Sequence, residues 1–327
     1  MNILTEIISM ETIWGPLAVL MIFLDASALM IWRLDRMSNR GVEGTVLGTL
    51  VMPYCSGMGN LVFACLLASQ GGPGREVVIN SLVNNVTNLT LLLGLPACIW
   101  GLQVTHRTGK KRERQRAEIH RLSLLLTIFA GLFFTGALWA LARDGSLSTG
   151  DGMVLIGLFL FWQGFSIFDV LKNNVRQNQK FDFVILIDMG LLLLGGYGLF
   201  CSIEWLVLYI EQLDSGFLSV GNLGWLSGIL MVLPNAGMAF YYAWRRQPDI
   251  VASSQLGDGH ICIPLCIGVF AVFHPSSLPD IFNTGILVIT VSLVIHGLSL
   301  LLFGGLPRFL GGLLVVAYGV FLYFGLV

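Results

Sequence analysis

The chain consists of apolar blocks of roughly twenty residues or more, separated by short segments that carry most of its charges. A helix of about 20 apolar residues is long enough to cross the hydrocarbon core of a bilayer. Only 11% of the 327 residues are charged, about half the fraction found in soluble domains. The sequence therefore predicts an all-α integral membrane protein, because a soluble fold would have to expose this apolar surface.

The pattern predicts about ten transmembrane helices. They are expected at residues 12–32, 41–69, 77–101, 120–142, 152–171, 183–210, 216–243, 250–274, 279–303 and 307–326. If the first connecting loop is cytoplasmic, every Lys and Arg except Arg75 and Arg143 falls at the cytoplasmic side. Such a bias sets the orientation of membrane proteins, so both termini are predicted to lie outside.

Ten spans with both ends on one side divide into two groups of five with opposite orientations. This inverted repeat is common among secondary transporters. The division gives a first half with spans 1–3 (1–102), a basic cytoplasmic loop (103–121), spans 4 and 5 (122–171), a short central cytoplasmic loop (172–182) and a second half with spans 6–10 (183–327).

Polar residues occupy matching places in the two halves. In the third span, three asparagines recur at every fourth position and so share one helical face: Asn80, Asn84 and Asn88. Adding 174 to their numbers gives a second polar stripe in the eighth span: Ser254, Asp258 and Cys262. Asn60 and Asn235 lie late in the second and seventh spans, which both contain Gly and Pro. These faces are expected to meet near the bilayer midplane.

Two segments resemble the α-repeats of the cation/calcium antiporter superfamily, which includes the sodium/calcium exchangers. The first comprises GVEGTVLGTLVMPYCSGMGNLVFACLLASQGG and VVINSLVNNVTNLTLLLG, and the second is GILMVLPNAGMAFYYAWRRQPDIVASSQLGDGHICIPLCIG. The resemblance implies an alternating-access cation antiporter whose first and sixth spans slide past a fixed bundle. It also implies that Asn60 and Asn235 stand where relatives carry glutamates.

The same resemblance implies the remaining ion-binding positions. They are Asn84, Asn88, Asp258, Cys262 and the hydroxyl position Ser56. Asp25, in the middle of the first span, is a candidate for the coupling of transport to protons. Calcium prefers six to eight oxygen ligands that include carboxylates, and this set has one carboxylate. A monovalent cation or proton, namely sodium or H⁺, is therefore expected in preference to calcium. Weak calcium transport stays open as an alternative if Asp25 or Glu204 reaches the pathway.

Other interpretations of the same residues remain open. The asparagines also suit interhelical hydrogen bonding, and Asp258 also suits a structural role. His260, Cys262 and Cys266 suggest a soft-metal site, although cysteines inside helices are more often packing residues. The alternatives to a cation antiporter are a carrier of a neutral or anionic solute and a membrane scaffold that transports nothing.

No catalytic constellation, cofactor motif or basic nucleic-acid surface is evident, and the net charge is −1. The sequence therefore predicts no enzyme, no cofactor and no metal beyond the transported cation. The expected partners are that cation and the lipid bilayer, in the inner membrane of a bacterial or archaeal cell.

Overall fold

A computed structural model describes residues 4, 7–8, 14–39, 52–104, 111–174, 184–213 and 219–326. Over these residues the chain forms ten helices, as predicted. They are α1 (Trp14–Asn39), α2 (Met52–Gln70), α3 (Gly74–Trp100), α4 (Lys111–Leu141), α5 (Thr149–Asn174), α6 (Val184–Glu211), α7 (Leu223–Trp244), α8 (Pro248–Phe273), α9 (Phe282–Phe303) and α10 (Arg308–Leu326). The first part of the second predicted span, residues 41–51, and the start of the seventh, residues 216–218, lie outside the described residues.

Eight of the helices are long and apolar enough to cross a membrane, and part of α2, Gly57–Gln70, forms a shorter apolar helix. The protein is therefore an all-α integral membrane protein. One boundary needs correction, because α4 begins at Lys111, inside the segment 103–121 that was expected to be a loop. Lys, Arg, Glu, Gln and Ala dominate its first turns, and all of them favour helix. Residues 105–110 of that segment and 175–182 of the central loop lie outside the described residues.

Four short strands recur at matching places in the two halves. They are β1 (Leu102–Gln103), β2 (Ser146–Leu147), β3 (Ser276–Ser277) and β4 (Gly305–Leu306). β1 follows α3 and pairs with β4, whereas β3 follows α8 and pairs with β2, both antiparallel. β1 and β3 are separated by 174 positions, the separation predicted from the polar stripes. Each half therefore completes a ribbon with a strand of the other half, and the fold is the predicted pair of five-helix repeats.

Helices of one half also cross helices of the other half, as the strands do. α3 of the first half crosses α10 of the second at Gly94 and Gly311, where a Cβ on Gly94 would lie 2.8 Å from the Gly311 carbonyl oxygen. α8 crosses α5 at Gly268 and Gly152, where a Cβ on Gly152 would lie 2.7 Å from the Gly268 carbonyl oxygen. Backbones approach this closely in membranes because small residues allow it. α3 and α8 are the most buried spans and form the centre of the molecule.

Both central helices contain a π-helical turn at a corresponding place. The turn spans Thr87–Leu92 in α3 and Cys262–Cys266 in α8. In α3, His296 of α9 places its Nε2 2.8 Å from the carbonyl oxygen of Leu89, inside the turn. Such turns often mark functional sites, since they break the regular hydrogen-bond ladder of the helix.

α1 and α6 form a closely packed pair at one side of this centre. A Cβ on Gly195 of α6 would lie 2.5 Å from Cγ of Met30, so the two helices are in tight contact. Near the end of α1, Arg33 donates to the fully buried Asp188 of α6 at 3.2 Å. The pair is therefore held by both steric fit and a buried ion pair, and it packs on the rest of the protein mainly through α2 and α7.

Candidate functional site

The centre of the polar cluster is the carboxylate of Asp258 in α8. It is fully buried, as are Asn84 and Asn88 of α3. Asn84 Nδ2 donates to Asp258 Oδ2, and Asn88 Nδ2 donates to the same oxygen at 2.7 Å. The two hydrogen bonds partly offset the cost of removing this carboxylate from water. Asn84 and Asp258 are 174 positions apart, so equivalent residues of the two repeats touch each other.

The contacts around this pair are related by the same pseudo-two-fold symmetry. Asn88 and Cys262 are equivalent residues, one turn beyond Asn84 and Asp258. Asn88 contacts Asp258, and Cys262 correspondingly lies 3.4 Å from Asn84, measured from Sγ to Nδ2. Cys262 Sγ also lies 3.6 Å from Asp258 Oδ2. The stripes predicted on the third and eighth spans therefore face each other.

The asparagines of the second and seventh spans differ in their surroundings. Asn235 of α7 donates from Nδ2 to Asn88 Oδ1 at 3.4 Å. By symmetry, Asn60 of α2 would be matched to Cys262, whose thiol is a much weaker hydrogen-bonding partner than an amide. Both polar atoms of the Asn60 side chain are buried and make no hydrogen bond within the described parts of the chain. A buried amide in this condition points to a ligand site.

Asn60 lies close to the π-helical turn of α8. Gly57, one turn earlier on α2, contacts Ile261, and a Cβ there would lie 3.1 Å from Cβ of Ile261. Ile261 directly precedes Cys262, at the start of the turn. The absence of a side chain at Gly57 therefore lets α2 bring Asn60 against the centre.

Gln255 belongs to the cluster as well, although it is not among the predicted site residues. Its Nε2 lies 3.4 Å from the carbonyl oxygen of Asn235 and 3.1 Å from Ser254 Oγ, and the residue is buried. Gln255 precedes Asp258 by three residues, a spacing that places both on one face of a helix. This spacing of three indicates Gln255 in the sequence, whereas the predicted stripe contains only residues spaced by four.

Several amide oxygens at this centre are free to act as ligands. Four buried amide oxygens of the cluster accept no hydrogen bond from the described residues: Asn60 Oδ1, Asn84 Oδ1, Asn235 Oδ1 and Gln255 Oε1. Amide and carboxylate oxygens are the ligands that hard cations prefer. The arrangement can therefore supply several neutral oxygens and one formal negative charge to a cation.

Three of the predicted residues are not placed in this cluster. Asp25 lies on the exposed face of α1, because α1 turns Phe23, Ala26 and Met30 towards the interior instead. The side chain of Ser56 lies outside the described residues. Asn80, a member of the predicted stripe, donates to Ser227 Oγ of α7 at 2.9 Å and so forms a separate contact.

Of the residues considered for a soft-metal site, His260 lies apart from the cysteines. His260 Nε2 lies 2.9 Å from the carbonyl oxygen of Thr127 in α4, and its ring packs against Phe134 and Trp162. Among the described residues, no group of three or more His, Cys, Asp or Glu side chains is placed to hold a metal ion. His260 therefore does not join Cys262.

An inverted repeat of ten helices around a polar centre is an architecture of secondary transporters. Residues 12–168 match the family model described as sodium/calcium exchanger protein. The resemblance to the cation/calcium antiporter superfamily is thus confirmed. No curated protein sequence matches the chain.

Solved structures of the sodium-calcium exchanger NCX_Mj share the fold. The form soaked with 2.5 mM Na⁺ and 0.1 mM Ca²⁺ gives a TM-score of 0.68 at 17% identity, covering 95% of this chain and 97% of the exchanger. The form soaked without Na⁺ and Ca²⁺ gives 0.66 at 18% identity, covering 98% of both chains. The match establishes the fold over nearly the whole length of this chain.

Proposed function

We propose that this protein is a secondary active cation antiporter that works by alternating access and carries a monovalent cation, with sodium as its main cargo. The observation that carries the proposal is the single buried carboxylate of Asp258, set among amide oxygens where the two repeats meet. The likeness to sodium/calcium exchangers supports the transport class.

The charge of the site supports the choice of cargo. An ion in a low-dielectric site needs compensating charge, because desolvation of an uncompensated ion is costly. Asp258 supplies one negative charge, which matches sodium, whereas calcium would leave one positive charge uncompensated. Asn60 and Asn235, at the two positions assigned to glutamates by the resemblance, supply oxygens without charge.

The packing of α1 and α6 supports alternating access. The Arg33–Asp188 ion pair and the tight contact at Gly195 join the two helices, so that they are able to move as one unit. The central helices α3 and α8 are fixed to α10 and α5 by close glycine crossings. A sliding pair beside a fixed centre would expose Asp258 to each side of the membrane in turn.

The test is cation exchange in liposomes that contain the purified protein. Wild type should exchange ²²Na⁺ against external sodium or against a proton gradient, and Asp258→Asn should reduce this exchange to the rate of empty liposomes. Asp280→Asn, which removes a carboxylate from an exposed turn, should leave exchange unchanged. Sodium exchange by Asp258→Asn at the wild-type rate would refute the proposal.

A neutral polar solute is the second candidate. It is favoured by Asn60, whose buried amide offers both a donor and an acceptor. Cation-independent binding of such a solute, retained in Asp258→Asn and lost in Asn60→Leu, would select this candidate instead.

A further inference from the structure

A cavity of about 300 Å³ lies at the end of the molecule where α3 ends and α8 and α10 begin. The charged residues in its lining are Arg246, in the turn between α7 and α8, and Arg308, the first residue of α10. Trp100 and Gln103 line the same cavity. The lining contains no carboxylate, and within the described residues neither arginine side chain forms an ion pair or hydrogen bond.

The backbone of Arg246 is strained. Its φ is 56°, and it is the one residue other than glycine with a positive φ in the described parts of the chain. Hydrogen bonds from Arg246 N to Ala243 O (3.0 Å) and from Gln247 N to Tyr242 O (2.9 Å) hold this turn. A left-handed backbone is unfavourable for a residue with a Cβ, and such strain is often found at functional sites.

The internal repeat shows that the strain comes from the choice of side chain. The equivalent turn between α2 and α3 has Gly71 at the left-handed position, with a φ of 68°. Gly71 precedes Pro73 by two residues, as Arg246 precedes Pro248. The fold therefore requires a left-handed residue in this turn, which glycine adopts freely, yet the second repeat has an arginine there.

The equivalent region at the opposite end of the molecule lacks both charges. Its counterparts of Arg246 and Arg308 are Gly71 and Thr149, which begins α5 as Arg308 begins α10. His274, the counterpart of Trp100, places its Nε2 2.7 Å from the carbonyl oxygen of Ala68. The two arginines are thus a feature of one end only, and the distribution of basic residues predicts that this end is cytoplasmic.

We propose that this cavity binds the phosphate group of an anionic phospholipid in the cytoplasmic leaflet. Two guanidinium groups beside one cavity suit a phosphate, because the planar fork of arginine donates paired hydrogen bonds to its oxygens. Basic pockets between helices at the cytoplasmic surface bind anionic headgroups, and tryptophan favours the same interfacial depth. The lipid would join the end of α3 to the beginnings of α8 and α10, and so connect the two repeats.

The experiment measures lipid binding by the purified full-length protein in nanodiscs that contain phosphatidylglycerol or phosphatidylcholine. Wild type should retain phosphatidylglycerol in preference to phosphatidylcholine after detergent extraction, as measured by native mass spectrometry. Arg246→Asn should weaken this preference by roughly fivefold or more. Asparagine tolerates a left-handed backbone, so this variant should fold and melt in phosphatidylcholine as wild type does.

The matched control is Arg245→Asn, which removes the same charge one residue earlier. Arg245 packs over the ring of Tyr241 and is not part of the cavity lining, so this variant should keep the wild-type preference. An equal loss in both variants, or no loss in Arg246→Asn, would overturn the proposal. Displacement of phosphatidylglycerol by millimolar inorganic phosphate would overturn the assignment to a lipid and identify free phosphate as the ligand.

Discussion

If the polar centre binds sodium as proposed, replacement of Asn84 by Asp should convert it into a calcium site. Asn84 donates directly to Asp258, so the substitution places a second carboxylate beside the first without a change in side-chain length. The neutral oxygens of Asn60, Asn235 and Gln255 would remain available to the ion. The formal charge at the centre would then be two, which matches a divalent cation.

The size of the effect follows from the separation of the charges. Two unit charges about 4 Å apart interact by about 4 kcal/mol at an effective dielectric constant of 20. The added carboxylate attracts a divalent ion with one unit of charge more than a monovalent ion, so selectivity for calcium over sodium should rise by about 4 kcal/mol. This corresponds to about a thousandfold change in the ratio of affinities. Without a cation, the two carboxylates should repel each other by a similar amount and share a proton.

The assay is thermal unfolding of the purified protein in detergent at increasing concentrations of Na⁺ or Ca²⁺. Wild type should be stabilised by sodium and little by calcium, since a ligand stabilises the folded state that binds it. Asn84→Asp should melt at a lower temperature without cations and recover with calcium at far lower concentrations than with sodium.

Asn85→Asp is the control, because it makes the same substitution at the next residue. Asn85 donates to the carbonyl oxygen of Ser81 on its own helix, so a carboxylate there should destabilise the protein without creating calcium binding. If Asn84→Asp shows no calcium-dependent stabilisation, or if Asn85→Asp shows the same one, the charge argument fails.

Two further substitutions test how the fold supports the site. Gly259→Ala should lower the free energy of unfolding by about 1–3 kcal/mol, because the new Cβ would lie 2.5 Å from Asn85 Oδ1 and displace this buried amide, which donates to Ser81 O. Gly237→Ala, which meets no atom within 4 Å, should be neutral or slightly stabilising in the same melting assay. Arg33→Met should destabilise by about 3–5 kcal/mol because it leaves the carboxylate of Asp188 buried without its guanidinium. The double variant Arg33→Met, Asp188→Leu should recover most of this loss, and a double variant no more stable than Arg33→Met would contradict the ion-pair explanation.

The global architecture was predictable because lipid imposes a simple rule on the sequence. Every helical span must be long and apolar, so the length and composition of the apolar blocks were enough to predict the ten helices. The contact between Asn84 and Asp258 was predictable because polar side chains in lipid must face one another, and the offset of 174 paired them. The β1 and β3 strands share that offset but are too short to leave a recognisable pattern in the sequence.

The missed features depend on packing that helical spacing does not encode. Asp25 lies on an apolar helix whose two faces have little contrast, so the sequence could not show which face turns outward. The π-helical turns shift the faces of α3 and α8 part-way along each helix. Pro264 marks an interruption within the turn of α8, but the turn of α3 contains no proline and so gives no such signal. The ion pair of Arg33 with Asp188 joins residues 155 positions apart, a distance over which only the fold itself brings them together.

The direct contact between Asn84 and Asp258 limits which assemblies can contain this centre. A dimer of two identical five-helix subunits would place the same side chain on both sides of its symmetry axis, and thus two carboxylates or none. An odd number of charges at that point requires two halves that differ, and this chain meets the requirement with two diverged repeats in one polypeptide. The joined and diverged repeats therefore give this protein a centre with a single negative charge, which a symmetric pair of identical subunits cannot form.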